Sequence, residues 1–453
     1  MSGSRARIGV IGGGVSGMAA AWLLQHDHDV TLFERAPTLG GHVETLAVES
    51  GGKTVHAELG PRFFFDSAYP YYLTLLRLLQ VRTRWTAARV SFTDVGRRHT
   101  LVLPPRSIRQ TVALLRSPRL LRHTLSLRRL IEEQAVVSHG RDASVTFRQH
   151  LAAAGYPASF GPEFAYPFLS ACWGVSLAQV AEFPVYGLLK GMPPGQRAGF
   201  YEIDGGVASY MRAFAGELSQ VEIRVGSGVR RVAHDGRYRV EDERGQVHVF
   251  DQLIVATSSC DAARLLHDVP LAAAMRRAVG RFRQFDTDIV IHGDATLMPP
   301  DRRDWSHNNL FLDGDHAWMS DWQGLREEVP VFRTWLPQGR PLPRPLYGRR
   351  KYEHLVMTRE NALWQRHIAA LQGAAGLWVT GMYAVDIDNH ESALLSALVP
   401  ARALAPQSPN LARLLQAVPG DAPHGLEVLP VPLPHSDGSE GNAERERRQA
   451  GGH

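Results

Sequence analysis

Residues Ile8-Gly9-Val10-Ile11-Gly12-Gly13-Gly14-Val15-Ser16-Gly17, followed by the helix former Met18 to Gln25 and by Val30-Thr31-Leu32-Phe33-Glu34, decide the fold. The apolar run Ile8 to Ile11 suits a strand buried in a parallel sheet. Directly after it, Gly12, Gly14 and Gly17 form G-x-G-x-x-G. In this setting Gly12 permits the tight turn, Gly14 lets the backbone approach a pyrophosphate, and Gly17 lets helix pack closely on strand. The helix N-terminus, with Ser16 in its first turn, then faces the phosphates. Glu34 ends the second strand about 20 residues after Gly14, where a carboxylate accepts hydrogen bonds from a ribose diol. A lone glycine motif is weak evidence, whereas strand, glycine turn, helix, strand and acid in that order form a specific signature.

NAD and FAD share this signature, and Leu39-Gly40-Gly41-His42 separates them. Here the chain resembles the flavoprotein superfamily of amine oxidases, phytoene desaturases and protoporphyrinogen oxidases. In that superfamily the ribose-binding acid is followed by a Gly-Gly pair and usually an arginine. Glu34, Gly40 and Gly41 match, and His42 stands where the arginine would be; a histidine is largely neutral near pH 7. The resemblance implies non-covalent FAD, contacted by Arg35 beside Glu34 and by Gly60-Pro61-Arg62, the segment that in relatives passes the flavin ring.

Further along, Gly205-Gly206 precedes an expected helix from Val207 to Leu218 and a strand from Val221 to Val225. Asp235-Gly236 signals a hairpin, with Val229 to Ala233, Tyr238 to Val240 and Val247 to Phe250 as strands of a small meander. Leu253 to Thr257 and Leu377 to Gly381 read as further buried strands, and Glu391 to about Leu404 as a helix kinked at Pro400. The resemblance places Val229, Ala256, Thr257, Gly381, Asn389 and His390 along the cofactor. It also points the N-terminus of that last helix at the flavin pyrimidine, where its dipole favours negative charge. The expected fold is α/β, with a discontinuous Rossmann-like FAD-binding domain over 1–80, 200–265 and 370–420. An inserted α+β substrate domain takes 81–199 and 266–369. From 430 to 453 the chain is polar, charged and glycine-rich, which predicts a disordered tail.

No second G-x-G-x-x-G stands in a strand-turn-helix context, which argues against a dedicated NAD(P)H domain. Gly381-Met382-Tyr383 also lacks the Gly-Asp motif of ring hydroxylases of similar fold. Direct oxidation of a small organic substrate remains, with hydride passing to flavin N5 and electrons to oxygen or another acceptor. Amine oxidases commonly carry a lysine near N5, and the matching segment, Phe285 to Val290, has none. Lys351 is the one lysine between Thr257 and Trp378, and Arg349-Arg350-Lys351 reads as a surface turn. Desaturation of an apolar or carboxylated substrate therefore competes with amine oxidation. The alternatives are a flavin-dependent isomerase and a non-catalytic, membrane-associated flavin binder. His390 is the candidate base or orienting group. The competing reading caps a helix with Asp388 or Asn389 and leaves His390 packed nearby. Tyr383 is the second catalytic candidate, best read as an aromatic wall. Cys172-Trp173 lines either a pocket or a core.

The 453 residues, 44% hydrophobic and 21% charged, exclude a chain disordered throughout. Two cysteines, Cys172 and Cys260, exclude a disulfide framework and a C-x-x-C zinc site, and no metal is expected. No apolar run reaches the roughly 18 to 20 residues of a membrane span. MSGSRAR runs straight into a strand, so a cytoplasmic location is expected. All basic residues but Lys53, Lys190 and Lys351 are arginines, and twelve of them lie between Val81 and Leu130 against one acid, Asp94. From Arg106 to Arg116, Ile108, Val112 and Leu115 recur at helical spacing with Arg106, Arg109 and Arg116 opposite. After Pro118 a second basic helix is expected to about Glu133. Two solvated cap helices with wet arginine faces are the plain reading. Peripheral membrane contact through Arg106 to Arg129 is the alternative; nucleic acid is not expected, because the arginines alternate with leucine.

Overall fold

A computed structural model describes residues 5–140, 142–192, 199–337 and 339–420. The tail expected over 430–453 lies outside them. At the centre is a five-stranded parallel sheet in the spatial order Leu377–Val379, Gln252–Val255, Arg7–Ile11, Asp29–Phe33, Val221–Arg224. Arg7–Ile11 is the middle strand, Ile8 pairing with Val30 on one side and Gln252 on the other. Its residues from Ile8 to Ile11 are buried, as an apolar strand covered on both faces must be. The meander Val229–His234, Tyr238–Asp242, Val247–Phe250 lies against this sheet, with the Phe250 ring so close that a Cβ on Gly9 would meet it at 2.7 Å.

The helix after the glycine turn spans Val15–Leu24, starting three residues before the alanine-rich run, because extended Gly14 serves as its N-cap. All ten of its residues are buried, and it packs against helix His390–Leu404. Small alanines allow that approach. Helix His390–Leu404 starts one residue earlier than expected and runs through Pro400.

A seven-stranded mixed sheet forms the second layer system, in the order Leu346–Leu355, Gln284–His292, Phe332–Trp335, His316–Trp322, Asn308–Asp313, Val90–Asp94, His99–Leu103. The Arg349-Arg350-Lys351 segment is a strand, not the expected turn. It pairs antiparallel with Gln284–His292, Lys351 opposite Asp288, and Arg349 Nε donates to Asp288 Oδ1 at 2.9 Å. Helices Ile108–Leu115, Pro118–Gly140, Phe147–Ala153 and Val185–Lys190 build a second core with this sheet around Phe147, Phe160 and Phe164. Helix Pro118–Gly140 outruns the expected end near Glu133. Gln134 Nε2 donates to the Leu189 carbonyl at 2.9 Å and to that of Met192 at 2.5 Å, which anchors the added turns.

Helix Ile108–Leu115 keeps Arg109 and the flanking Arg106 and Arg116 exposed, as expected of wet faces. Gln110 and Leu114 are its buried residues. Arg109 pairs with Asp304 and lies 3.6 Å from Asp301, Gln110 Nε2 donates to Asp304 at 2.8 Å, and Arg106 Nη2 donates to the Trp305 carbonyl at 2.8 Å. Gln110 and Leu114 face the core, so the row of Ile108, Val112 and Leu115 on the other side of the helix turns outward. No helix among the described residues is long and apolar enough to cross a membrane.

Candidate functional site

The glycine turn is shaped by three different constraints. Gly12 has φ +113°, a left-handed backbone suited to glycine, and a Cβ there would lie 2.5 Å from the Ala256 carbonyl oxygen. A Cβ on Gly17 would lie 1.8 Å from the Gly12 oxygen, so close helix-strand packing excludes any side chain. At Gly14 the same atom would have one neighbour within 4 Å, the Gly41 Cα at 3.8 Å. The middle glycine alone opens onto space, at the N-terminus of a buried helix.

Glu34 stands at the end of its strand with Gly13 N–H donating to Oε2 at 2.7 Å and Ala36 N–H to Oε1 at 2.8 Å. A carboxylate offers about four lone-pair sites, so acceptor capacity remains for a diol. Arg35 is exposed and 3.5 Å from Asp261, on the surface beside the turn. Gly40 N–H donates to the Gly13 carbonyl at 3.0 Å, which folds the Gly-Gly segment onto the glycine loop. Ser16 is buried in the first helical turn. Across the sheet, Ala256 N–H donates to Ile11 at 2.8 Å, Thr257 follows it, and Val229 is buried opposite Asp242.

The C-terminal segment arrives beside this turn. Gly381 has φ +144°, and its N–H donates to Ser396 Oγ at 2.9 Å. Tyr383 is buried against Phe282, ring centroids 5.5 Å apart, and burial pushes its hydroxyl above the usual phenol range. Asn389 caps helix His390–Leu404 by accepting from Ser392 N–H at 2.8 Å. His390 is half-buried among Phe64, Tyr72 and Tyr210, with Nε2 2.8 Å from the Tyr210 hydroxyl. Burial, and secondly the nearby His42, push its pKa down to about 3. Neutral throughout the physiological range, it is a weak base; capping by Asn389 with His390 packed behind is the geometry found.

His42, Gly60, Tyr352, His354 and Asp388 come together in front of that helix. The His42 and Tyr352 rings are 5.1 Å apart, and a Cβ on Gly60 would lie 2.0 Å from the His42 oxygen. Burial, then the neighbouring His354, lower the His42 pKa. Asp388 Oδ2 accepts from Leu355 N–H at 3.0 Å and lies 3.5 Å from His354 Nδ1. Trp335 stacks on His354 at 5.6 Å and Phe285 flanks it at 5.7 Å. Pro61 leads into Arg62, which is buried and donates through Nε and Nη2 to Glu202 at 3.1 and 2.8 Å. A cavity of about 330 Å³ adjoins it, lined by Glu58, Arg62, Arg84, Glu202, His307 and Gln323. Burial pushes Glu58 up to about 7. Cys172 is half-buried, next to the segment where Gly174 meets Trp335, and burial pushes its thiol up to about 12.

Several residues that hold the site were not legible from motifs. Arg333, on the seven-stranded sheet, donates through Nη1 to the Gly60 carbonyl at 2.5 Å and through Nε to Asp321 at 2.7 Å. Gln365 Nε2 donates to the Asp386 carbonyl at 2.8 Å, fixing the segment after Tyr383. Lys190 forms a mostly buried ion pair with Asp386. His354 and Trp335 belong to the same class: each meets its partners through sheet register, which no local motif encodes.

The arrangement fits a dinucleotide. Gly14 opens beside a helix N-terminus, Glu34 has spare acceptor capacity, and Thr380 Oγ1, Ser392 Oγ and Tyr352 Oη are buried polar atoms with no hydrogen-bond partner among the described residues. Buried polar groups of a folded protein are rarely left so. Among the described residues no group of His, Cys, Asp and Glu could hold a metal.

The chain is similar to solved structures over most of its length. A protein assigned as a protoporphyrinogen oxidase from Exiguobacterium sp. 255-15 shares 17% identity at a TM-score of 0.60, covering 89% of this chain and 99% of its own. A fatty acid isomerase from P. acnes that produces CLA shares 14% at a TM-score of 0.65, covering 88% and 98%. A variant of putrescine oxidase shares 12% at 0.63, covering 89% and 99%. No curated protein matches. These identities establish the shared fold, a Rossmann-like FAD domain with a substrate domain. The family model for flavin containing amine oxidoreductases matches residues 15–365. The chain belongs to that family, and its cofactor is FAD.

Proposed function

We propose that this FAD oxidoreductase takes hydride from one carbon of an apolar or carboxylated organic substrate while the neighbouring carbon releases a proton to solvent, forming a carbon-carbon double bond. When bound, FAD supplies the hydride acceptor. In this reading 1–80, 200–265 and 370–420 form the FAD-binding unit and 81–199 with 266–369 the substrate unit. Gly12, Gly14, Ser16 and Gly17 hold the pyrophosphate, with Gly40, Gly41 and His42 across from them. Glu34 accepts from the ribose hydroxyls while Arg35 flanks it. Val229, Ala256 and Thr257 flank the adenosine half. Gly60, Pro61, Arg62, Gly381, Asn389 and His390 follow the ring. His390 orients the cofactor side of the site rather than removing a proton, and Tyr383 is an aromatic wall.

The observation that carries the substrate class is the make-up of strand Gln284–His292. It presents Phe285 to His354, on whose ring Trp335 stacks, and has no lysine, and Lys351 on the next strand is exposed. An aromatic face binds hydrocarbon. Arg62, whose buried Nη1 has no hydrogen-bond partner among the described residues, suits a carboxylate at the far end. Molecular oxygen is the proposed acceptor, and peripheral contact with a membrane belongs to the same reading. Isomerisation without net oxidation is the second reading, favoured by the fatty acid isomerase among the similar folds.

Anaerobic titration of the purified holoprotein with amines, fatty acids and polyenes tests this by the visible flavin band. Bleaching by a fatty acid or polyene, with a new double bond in the product, is expected. Bleaching by amines alone would overturn the reading. Turnover of an unsaturated acid without an acceptor consumed would establish the isomerase.

A further inference from the structure

Helix Ile108–Leu115 is mounted on Gln110 and Leu114, its buried residues. Arg106, Arg109 and Gln110 are tied to Asp304 and to the carbonyls around Trp305. As a result Ile108 is 85% exposed and Leu115 60% exposed, with half-buried Val112 between them. These three occupy positions i, i+4 and i+7, one face of the helix. Isolated apolar side chains are ordinary on a protein surface. A row at helical spacing, held outward by the burial of Gln110 and Leu114 on the opposite side, is a different arrangement.

Cationic groups border the row. Arg116 is the C-cap of the same helix and Arg122 is exposed in the second turn of helix Pro118–Gly140. Neither has a carboxylate partner among the described residues, whereas Arg119, Arg128 and Arg129 are paired with Glu163, Glu132 and Glu133. Leu125 and Val136 are further exposed apolar side chains on that second helix. Apolar side chains at the interface with free guanidinium groups beside them match the two attractions that hold a protein on an anionic bilayer.

We propose that the face carrying Ile108, Val112 and Leu115, with Arg116 and Arg122, docks on an anionic lipid bilayer. The inference rests on the peripheral-membrane part of the proposed function and commits it to one helix. Both helices belong to the same core as the seven-stranded sheet, so docking brings the substrate unit, and not the nucleotide turn, against the lipid.

The test is cosedimentation of the full-length holoprotein with vesicles of phosphatidylcholine alone or mixed with phosphatidylserine, at low and high salt. Binding to the mixed vesicles that weakens with salt is expected. An Ile108→Ser/Leu115→Ser variant should lose it with an unchanged flavin spectrum and Tm, since both side chains are in solvent. Arg116→Glu/Arg122→Glu should weaken it by about tenfold or more. Wild-type protein that ignores the mixed vesicles, or a serine variant that binds like wild type, would overturn the proposal. So would a wild-type dimer that the serine variant converts to monomer, which assigns the face to a second copy. Flavin bleaching by soluble substrate is read separately: its failure with vesicle binding intact condemns the oxidation chemistry and leaves the docking face.

Discussion

Gly41 and Gly14 face each other so closely that a Cβ on Gly41 would lie 3.0 Å from the Gly14 Cα. Two segments, one from the glycine turn and one from the Gly-Gly pair, thus converge on the place proposed for the pyrophosphate; a side chain on Gly41 would crowd Gly14, and one on Gly14 would enter the open space itself. Gly14→Val is expected to give folded protein without flavin. Absorbance near 450 nm and a melting curve check it together: a yellow Gly14→Val protein would remove the pyrophosphate assignment. Gly17→Ala should behave differently, losing the fold itself, because its methyl group would stand 1.8 Å from the Gly12 oxygen.

Glu34 binds the turn as well as facing the proposed ribose. Its loss removes acceptors from Gly13 N–H and Ala36 N–H in addition to any diol contact. Hydrogen bonds to a charged group contribute about 1.5–3 kcal/mol each, so Glu34→Ala should weaken FAD binding by about 10- to 100-fold. Quenching of flavin fluorescence on titrating apoprotein measures it. Unchanged affinity would place the ribose elsewhere.

His390 gives a prediction about pH. Its pKa near 3 leaves it neutral above about pH 4, so flavin reduction should show no limb between pH 5 and 8 that His390→Asn abolishes. If His390 orients the site, His390→Asn should slow reduction and leave FAD bound. Stopped-flow reduction across that range decides, and a limb near neutrality lost in the variant would make His390 a base after all.

Acid sensitivity should arise in the seven-stranded sheet. Asp294 N–H donates to His292 Nδ1 at 3.1 Å, so Nε2 carries the proton and donates to Thr334 Oγ1 at 2.7 Å. Burial pushes the His292 pKa down to about 4. The unfolded chain takes up a proton below about pH 6.5 that the folded chain refuses until about pH 4, so stability is full above 6.5 and falls with acid through this window. A shift of that size corresponds to about 3 kcal/mol by pH 4. In His292→Gln the fall in Tm between pH 7 and pH 5 should be smaller than in wild type. An equal fall would mean that this histidine does not titrate with unfolding.

What could be read from the chain beforehand was chemistry that is local. Strand, glycine turn, helix and Glu34 fall within 34 residues, and each glycine is explained by a neighbour inside that unit or by the strand beside it. The meander followed from Asp235-Gly236 and alternation. Orientation of helix Ile108–Leu115 could not follow from its own pattern, because Asp304, which anchors it, is 195 positions from Arg109. A hydrophobic period says which residues share a face, and only the partner says which face is buried. The same limit hid His354, placed opposite Phe285 by strand register, and it made a strand of Arg349-Arg350-Lys351 look like a turn.

Arg333 is the furthest case, joining Asp321 on the adjacent strand to the Gly60 carbonyl 273 positions away. Its side chain and that of Asp321 are almost wholly buried, so removing the guanidinium leaves a carboxylate with no counter-charge and a loop with no tether. Breaking a buried pair in this way costs about 3–5 kcal/mol, whereas replacing both partners by apolar residues is often close to neutral. Arg333→Leu should therefore lower stability by that amount, and Arg333→Leu/Asp321→Leu should recover most of it. The two effects of the arginine then separate. Stability returns in the double variant, while the Gly60 carbonyl still lacks its donor, so FAD affinity should stay reduced in both. Urea unfolding with flavin titration of the same three proteins reads the two quantities, and an FAD affinity restored along with stability would show that Arg333 acts on Asp321 alone and does not position the Gly60-Pro61-Arg62 segment.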